Sequence, residues 1–128
     1  MDTCVLIWYF DNDKRAKSLA EDIEYYQADY AVSIETLKEL LYLIQYSKIR
    51  LDISFEGLIK HLEELYVRIE FDDLETLDVL ASLPAYKNHT DPVDRQIIAT
   101  AIAKRRILIS GDEKFNLYTA HGLAFLEV

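Results

Sequence analysis

Hydrophobic side chains recur along most of the chain at intervals of three and four residues, the spacing of one face of an α-helix. Four stretches show this spacing, and their apolar positions are Ala16, Leu19, Ala20 and Ile23, then Leu37, Leu40, Leu41 and Ile44, then Phe55, Leu58, Ile59, Leu62 and Leu65, and then Leu74, Leu77 and Ala81. A fifth helix is predicted to begin at Asp91 and Pro92, because Asp is a favoured N-cap and Pro a favoured first helical residue. The pattern therefore predicts five helices.

Short apolar segments of strand length separate or follow these helices. They cover residues 30–34, 66–70, 106–110 and 123–128, and residues 107–109 (Ile-Leu-Ile) have the unbroken apolar character of a buried parallel strand. Strands that alternate with helices predict a three-layer α/β/α fold around a central parallel sheet. In such folds, binding sites form beyond the carboxyl ends of the strands.

Composition limits the class of protein. The chain has 128 residues, of which 51% are hydrophobic and 29% charged, so we expect one packed domain over residues 1–128. Its single Cys excludes a disulfide framework and favours a reducing, cytoplasmic location. No apolar run reaches the ~18 residues of a membrane span, so we expect no membrane association.

The net charge of −9 argues against a metal-free nucleic-acid binder, because phosphate-binding proteins usually present a basic surface. The charge does not argue against a metal-dependent nuclease, since bound cations neutralise a carboxylate cluster locally.

Four acidic residues are the candidate site: Asp2, Glu39, Asp94 and Asp112. Asp2 begins the apolar residues 2–8, Glu39 lies in the second predicted helix, Asp94 in the first turn of the fifth, and Asp112 directly after the apolar segment 106–110. Carboxylates from several elements suit Mg²⁺ or Mn²⁺, which activate water for in-line attack on a phosphodiester. Each acid also has a simpler interpretation. Asp94 and Asp112 could be capping residues, Glu39 a solvated helix residue and Asp2 part of a frayed terminus. Periodicity alone leaves these alternatives open.

Four segments, in order along the chain, resemble the motifs of PIN-domain proteins. They are residues 2–8 (DTCVLIW), 33–39 (SIETLKE), 89–99 (HTDPVDRQIIA) and 108–115 (LISGDEKF). The four matches span nearly the whole chain, and the third is the most specific. The subgroup that the chain resembles most is the VapC-like toxins of bacterial toxin–antitoxin pairs.

The resemblance implies a metal-dependent endoribonuclease with Asp2, Glu39, Asp94 and Asp112 around one or two Mg²⁺ or Mn²⁺ ions. It further implies that Ser110 and Thr3 orient a carboxylate or water, and that Arg95 contacts phosphate, although a surface ion pair is an equal alternative for Arg95. RNA is then the substrate, a cognate antitoxin the protein partner, and a homodimer the expected assembly.

The chain departs from the family pattern at its first acid. Only Met1 precedes Asp2, where the family has a central strand, so either this strand is shortened or the true start lies upstream. We expect a shortened strand to hold Asp2 poorly. This departure leaves a catalytically inactive binding or scaffold module as an alternative. A phosphoacceptor receiver domain is less consistent, because the chain lacks that fold's paired acids at the end of the first strand.

The remaining residues of note are expected to have structural or surface roles. We predict that His89, beside the acidic loop, has a role at the loop surface, although it could contact substrate. Basic residues cluster weakly at residues 14–17, 48–50 and 104–106, where they could guide an RNA strand. Tyrosines on the first two predicted helices are expected to form core or interface, and these are Tyr25, Tyr26, Tyr42 and Tyr46.

Overall fold

The computed structural model describes residues 1–25 and 29–128. Tyr26 lies outside the described residues. Six α-helices occur within them: α1 (Thr3–Phe10), α2 (Lys17–Tyr25), α3 (Ile34–Gln45), α4 (Phe55–Glu64), α5 (Leu74–Ser82) and α6 (Pro92–Ala103). Two 3₁₀ helices accompany them, at Lys14–Ala16 and Glu113–His121.

Five of these helices are the ones that the hydrophobic pattern predicts, and α1 is additional. Its sequence, TCVLIWYF, is apolar around the whole helix and therefore shows no helical periodicity. The predicted start of α6 is confirmed, because Asp91 is its N-cap and accepts hydrogen bonds from the backbone N–H groups of Val93 and Asp94.

Four short strands lie near the predicted apolar segments: β1 (Ala31–Ser33), β2 (Arg68–Glu70), β3 (Ile107–Ser110) and β4 (Ala124–Glu127). β1 pairs with β2 and β3 pairs with β4, both in parallel. The strands therefore form two parallel pairs rather than one continuous sheet.

The first two residues of the sequence connect the two pairs. The Met1 nitrogen donates to the Ala31 carbonyl at 2.8 Å, and the Asp2 nitrogen donates to the Ile109 carbonyl at 3.0 Å. Consecutive residues that bond to opposite neighbours are characteristic of an extended strand between two others. Next to them lies a cavity of about 440 Å³, lined by residues of β1, β3 and α6. Met1 and Asp2 thus bridge the two strand pairs.

Two hydrophobic cores lie on opposite faces of the strands. Ile109 belongs to the core formed with α1, α2, α3 and α4, whereas its neighbour Leu108 belongs to the core formed with α5 and α6. Neighbouring strand residues point to opposite faces. The helices therefore cover both faces, as the predicted α/β/α class requires.

The orientation of α5 differs from the prediction. Leu74 and Leu77, expected to face the core, are 79% and 54% exposed, whereas Thr76 is fully buried. Thr76 is held inward by a capping box with Asp73, which fixes the rotation of the helix start. The predicted apolar face of α5 is consequently a surface patch.

None of the helices in the described residues has the length and apolar content that spanning a membrane requires.

Candidate metal centre

Three of the four predicted acids lie at helix starts, and the fourth, Glu39, lies within a helix. Asp2 is the N-cap of α1, Glu39 lies in α3, Asp94 is the third residue of α6, and Asp112 caps the 3₁₀ helix that follows β3. Asp94 and Asp112 thus occupy the helix-start positions that the simpler interpretation also requires. Capping and a role in the centre are compatible for both residues.

Asp2 is buried and tightly held, so the expectation that it is poorly anchored is wrong. One carboxylate oxygen accepts from the Thr3 backbone N–H at 2.6 Å, and the other accepts from the Ser110 hydroxyl at 2.6 Å. The Cys4 thiol also donates to Asp2, at 3.4 Å. Burial and the neighbouring Asp2 charge raise the pKa of Cys4 to about 11, which keeps this donor protonated. These three donors anchor the Asp2 carboxylate.

Glu39 joins the same group through Thr3, whose hydroxyl donates to its carboxylate. Burial raises the pKa of Glu39, and the charges of Asp2 and Asp91 add to that rise. Asp91, assigned only to capping in the sequence, is therefore a further carboxylate of this region.

Asp94 has the most perturbed carboxyl group of the cluster. Burial raises its pKa to about 7, and the nearby charges of four carboxylates add to the shift: Asp91, Asp2, Glu39 and Asp112. All four predicted acids therefore lie close enough to interact electrostatically. Together with Asp91, they form what we call the acid cluster.

Within this region, one group has the compactness of a metal site. Ligand atoms of His89, Asp94 and Asp112 all lie within 4.8 Å of one another. His89 Nε2 lies 3.4 Å from a carboxylate oxygen of Asp94.

His89 is only 4% exposed, so the prediction of a surface loop position is wrong. Its ring packs edge-to-face against Phe115 and Tyr118, and Nδ1 lies 2.8 Å from the Tyr118 hydroxyl. Nε2 is buried and has no hydrogen-bond partner among the described residues. Phe115 and Tyr118, which bury the His89 ring, lie about 26 and 29 positions after His89 in the chain. The only sequence signal for this contact is that both residues follow Asp112.

Gly111 brings the loop before Asp112 close to α1. A Cβ atom at Gly111 would lie 2.2 Å from the Trp8 ring, so only glycine fits without movement. The Arg15 guanidinium lies over the same Trp8 ring, 4.1 Å from its centroid. Trp8 thus lies between Arg15 and the loop that leads to Asp112.

The two other predicted residues have different surroundings. Ser110 is fully buried; its hydroxyl donates to Asp2 and accepts from the Asp112 backbone N–H at 3.0 Å. Arg95 donates to the Pro84 carbonyl at 2.7 Å and to the Tyr118 hydroxyl at 3.5 Å. In this arrangement Arg95 supports the loop that carries His89. Its proposed contact with phosphate stays a prediction.

The residues of the centre fit a divalent metal ion. Carboxylate oxygens are the preferred ligands of Mg²⁺ and Mn²⁺. Burial and the charges of neighbouring carboxylates raise the pKa of Asp94, and the unpartnered His89 nitrogen lies 3.4 Å from the same carboxyl group. A cation between Asp94 and Asp112 would offset the negative charge of these carboxylates and give the His89 nitrogen a partner.

A cluster of carboxylates, one buried and three half-buried, beside parallel strands is typical of metal-dependent phosphodiester chemistry. The family model described as PIN domain matches residues 1–120. The chain therefore belongs to the PIN domain family, and the resemblance seen in the sequence is confirmed.

A solved structure supports the fold. The crystal structure of VapBC2 from Rickettsia felis bound to a DNA fragment from their promoter contains a similar chain, with a TM-score of 0.62 and 17% sequence identity. The match covers 98% of this chain and 94% of that one. No curated protein matches the sequence significantly. The predicted α/β/α fold class is thereby confirmed over nearly the whole chain.

Proposed function

We propose that this protein is a metal-dependent endoribonuclease and the toxin of a type II toxin–antitoxin pair. The observation that carries the proposal is the acid cluster, in which the charges of four neighbouring carboxylates help to raise the pKa of Asp94 to about 7. Membership of the PIN domain family supports the same chemistry.

The chain's own residues would hold and orient the reactive groups. Asp94 and Asp112 would bind Mg²⁺ or Mn²⁺, with Asp2 and Glu39 completing the negative site. The bound ion would activate water and offset the charge that develops on the phosphodiester. Ser110 and Thr3 would keep Asp2 and Glu39 in place, because their hydroxyl groups already donate to these carboxylates.

Arg15 is the basic residue that we propose for the RNA phosphate. Its guanidinium lies over Trp8, whose ring touches Gly111 next to Asp112. Arg15 also pairs with Asp13, at 2.7 Å, as Lys104 pairs with Asp73 and Arg106 with Glu70 and Asp29. The choice of Arg15 therefore rests on its position beside Trp8 and Gly111.

For the antitoxin, we propose the surface that carries Glu39. A cavity of about 370 Å³ lies between α3 and the start of α6, lined by Glu39, Tyr42 and Asp91 among others. Exposed Tyr42 and Tyr46 pack together on the same helix, with ring centroids 4.7 Å apart. An apolar antitoxin segment with one basic residue would complement both features.

Self-association is proposed through the exposed apolar patch of Phe71, Leu74 and Leu77. A two-fold dimer buries such a patch against itself. We expect wild-type protein at micromolar concentration to scatter light as a dimer and the Leu74→Asp variant as a 14.9 kDa monomer. A monomeric wild type would contradict the dimer without affecting the nuclease.

The function is tested by RNA cleavage with EDTA, Mg²⁺ or Mn²⁺. We expect cleavage only with metal, and a loss of about 10²-fold or more in Asp94→Asn, the usual effect of removing a key electrostatic group. Asp78→Asn is the matched control, because Asp78 is an exposed carboxylate on α5. Equal cleavage by wild type and Asp94→Asn would refute the assignment. Complete absence of cleavage would favour the non-catalytic binding module.

The antitoxin proposal has its own experiment. Co-expression with the product of the adjacent small gene is expected to yield a complex on a sizing column, and Tyr42→Asp is expected to weaken it. Elution of the two proteins apart would contradict the toxin assignment, whereas cleavage would still be judged by the preceding assay.

A further inference from the structure

The His89 side chain has a hydrogen-bonding capacity that the fold does not use. The residue is 4% exposed, and its Nε2 atom has no partner among the described residues. Leaving a buried polar atom unpaired costs roughly 1–3 kcal/mol. Such a cost is tolerated where the atom serves a bound ligand.

The direction of the unused nitrogen is fixed by the other side of the ring. Phe115 and Tyr118 pack against the ring, and the Tyr118 hydroxyl lies 2.8 Å from Nδ1. This arrangement leaves Nε2 facing Asp94, at 3.4 Å. Metal-binding histidines characteristically have their second nitrogen held in this way, which fixes the tautomer and the ring orientation.

The separation of the three groups suits a single ion. Their ligand atoms lie within 4.8 Å of one another, and two ligands on opposite sides of an ion with ~2.1 Å bonds lie about 4.2 Å apart. The upper limit of these separations exceeds that distance between opposite ligands by less than about 1 Å.

The geometry points to His89 Nε2 as a nitrogen ligand that makes this centre prefer Mn²⁺ to Mg²⁺. The inference rests on the proposed metal site and specifies its ligand set. A site made only of carboxylates accepts both ions, but Mg²⁺ favours oxygen ligands and keeps its waters, whereas imidazole nitrogen favours transition metals.

The decisive measurement is pulsed electron paramagnetic resonance of Mn²⁺ bound to the wild-type protein. We expect modulation from a directly bonded ¹⁴N nucleus, replaced by the ¹⁵N pattern when the protein is labelled with ¹⁵N-histidine. This experiment needs no variant, so it remains informative if substitutions at His89 prevent folding. Bound Mn²⁺ with no histidine coupling would overturn the inference.

Calorimetric titration with MnCl₂ and MgCl₂ tests the preference. In His89→Phe, which keeps a ring against Phe115 and Tyr118, we expect Mn²⁺ affinity to fall by about 10-fold or more, and Mg²⁺ affinity to change far less. Tyr118→Phe removes only the hydroxyl beside Nδ1 and should weaken Mn²⁺ binding by a smaller factor. His121→Phe is the matched control for replacing a histidine. His121 lies on the 3₁₀ helix that also carries Tyr118, but its Nε2 contacts the Tyr86 hydroxyl.

The outcomes separate this inference from the proposed function. An equal fall in Mn²⁺ and Mg²⁺ affinity in His89→Phe would overturn the preference for Mn²⁺, but it would not contradict a carboxylate metal site. Failure of the wild type to bind either metal at millimolar concentration would overturn the metal site itself, and the inference with it.

Discussion

Asp2 and Asp94 belong to the same acid cluster, but their surroundings are opposite. Asp2 accepts hydrogen bonds from the Thr3 backbone N–H, the Ser110 hydroxyl and the Cys4 thiol. Asp94 faces other carboxylates and an unpartnered imidazole nitrogen, and its pKa rises to about 7. The Asp2 carboxylate is therefore satisfied by hydrogen bonds within the chain, whereas the Asp94 carboxylate is left to interact with a ligand.

This difference separates structural from functional roles in one site. The Asp2 side stabilises the fold, because its donors connect α1 to the end of β3. The Asp94 side costs stability in the absence of metal, because buried like charges repel each other. Substitutions on the two sides should consequently change stability in opposite directions.

The largest stability loss is expected for Ser110→Ala. The change removes the donor to the buried Asp2 carboxylate and the acceptor of the Asp112 N–H, so we expect a loss of about 2–3 kcal/mol in the free energy of unfolding. Urea denaturation measures it. Ser82→Ala is the control, because the Ser82 hydroxyl is exposed and donates only to a carbonyl of its own helix. A loss no greater than in the control would contradict the anchoring role.

Gly111→Ala should have the next largest effect. The added methyl group would meet the Trp8 ring at 2.2 Å, and overpacking of this kind costs about 1–3 kcal/mol. Trp8→Leu in the same chain should relieve the clash, and a double-mutant cycle measures the coupling. Additive effects of the two changes would show that the loop avoids the ring by another movement.

Asp94→Asn is expected to stabilise the metal-free protein at neutral pH. The folded pKa of about 7 exceeds the ordinary 3.8, so the wild type loses stability as pH rises from about 4 to 7 and stays at its minimum above that. Asp94→Asn has no carboxyl group to ionise at this position, so its stability does not fall in this way. Its advantage should be near zero at pH 4 and roughly 1 kcal/mol at pH 8, a figure discounted because the carboxyl is partly exposed.

Thermal melts in EDTA across this pH range provide the measurement. Saturating Mn²⁺ should reverse the order, because only the wild type keeps the full ligand set. A variant that is less stable than the wild type at every pH would show that Asp94 serves α6 as a capping residue alone.

Arg15→Ala should have the smallest effect. The exposed side chain pairs with Asp13 and lies over Trp8, so folding should hardly change. RNA binding to the inactive Asp94→Asn background should lose one phosphate contact, which lowers the slope of log affinity against log salt by about 0.7. Lys104→Ala is the control, since Lys104 lies ten residues along α6 from Asp94, about 15 Å away. Equal slopes in both variants would exclude Arg15 from the RNA path.

Much of the fold follows from local sequence signals. Periodicity predicts α2 to α6, because each of these helices carries an apolar stripe, and Asp91 with Pro92 specifies where α6 begins. The apolar segment before Ser110 predicts β3. The four acids of the candidate site could be named because their motifs are contiguous in sequence, although their catalytic roles stay predictions.

Tertiary structure decided the rest, because burial depends on which distant residues meet. His89 is buried by Phe115 and Tyr118, and Gly111 is required because Trp8 lies against it. Neither contact leaves a local pattern. The outward face of α5 has the same origin: the spacing of Leu74 and Leu77 defines an apolar stripe but cannot specify whether that stripe faces the core or the solvent.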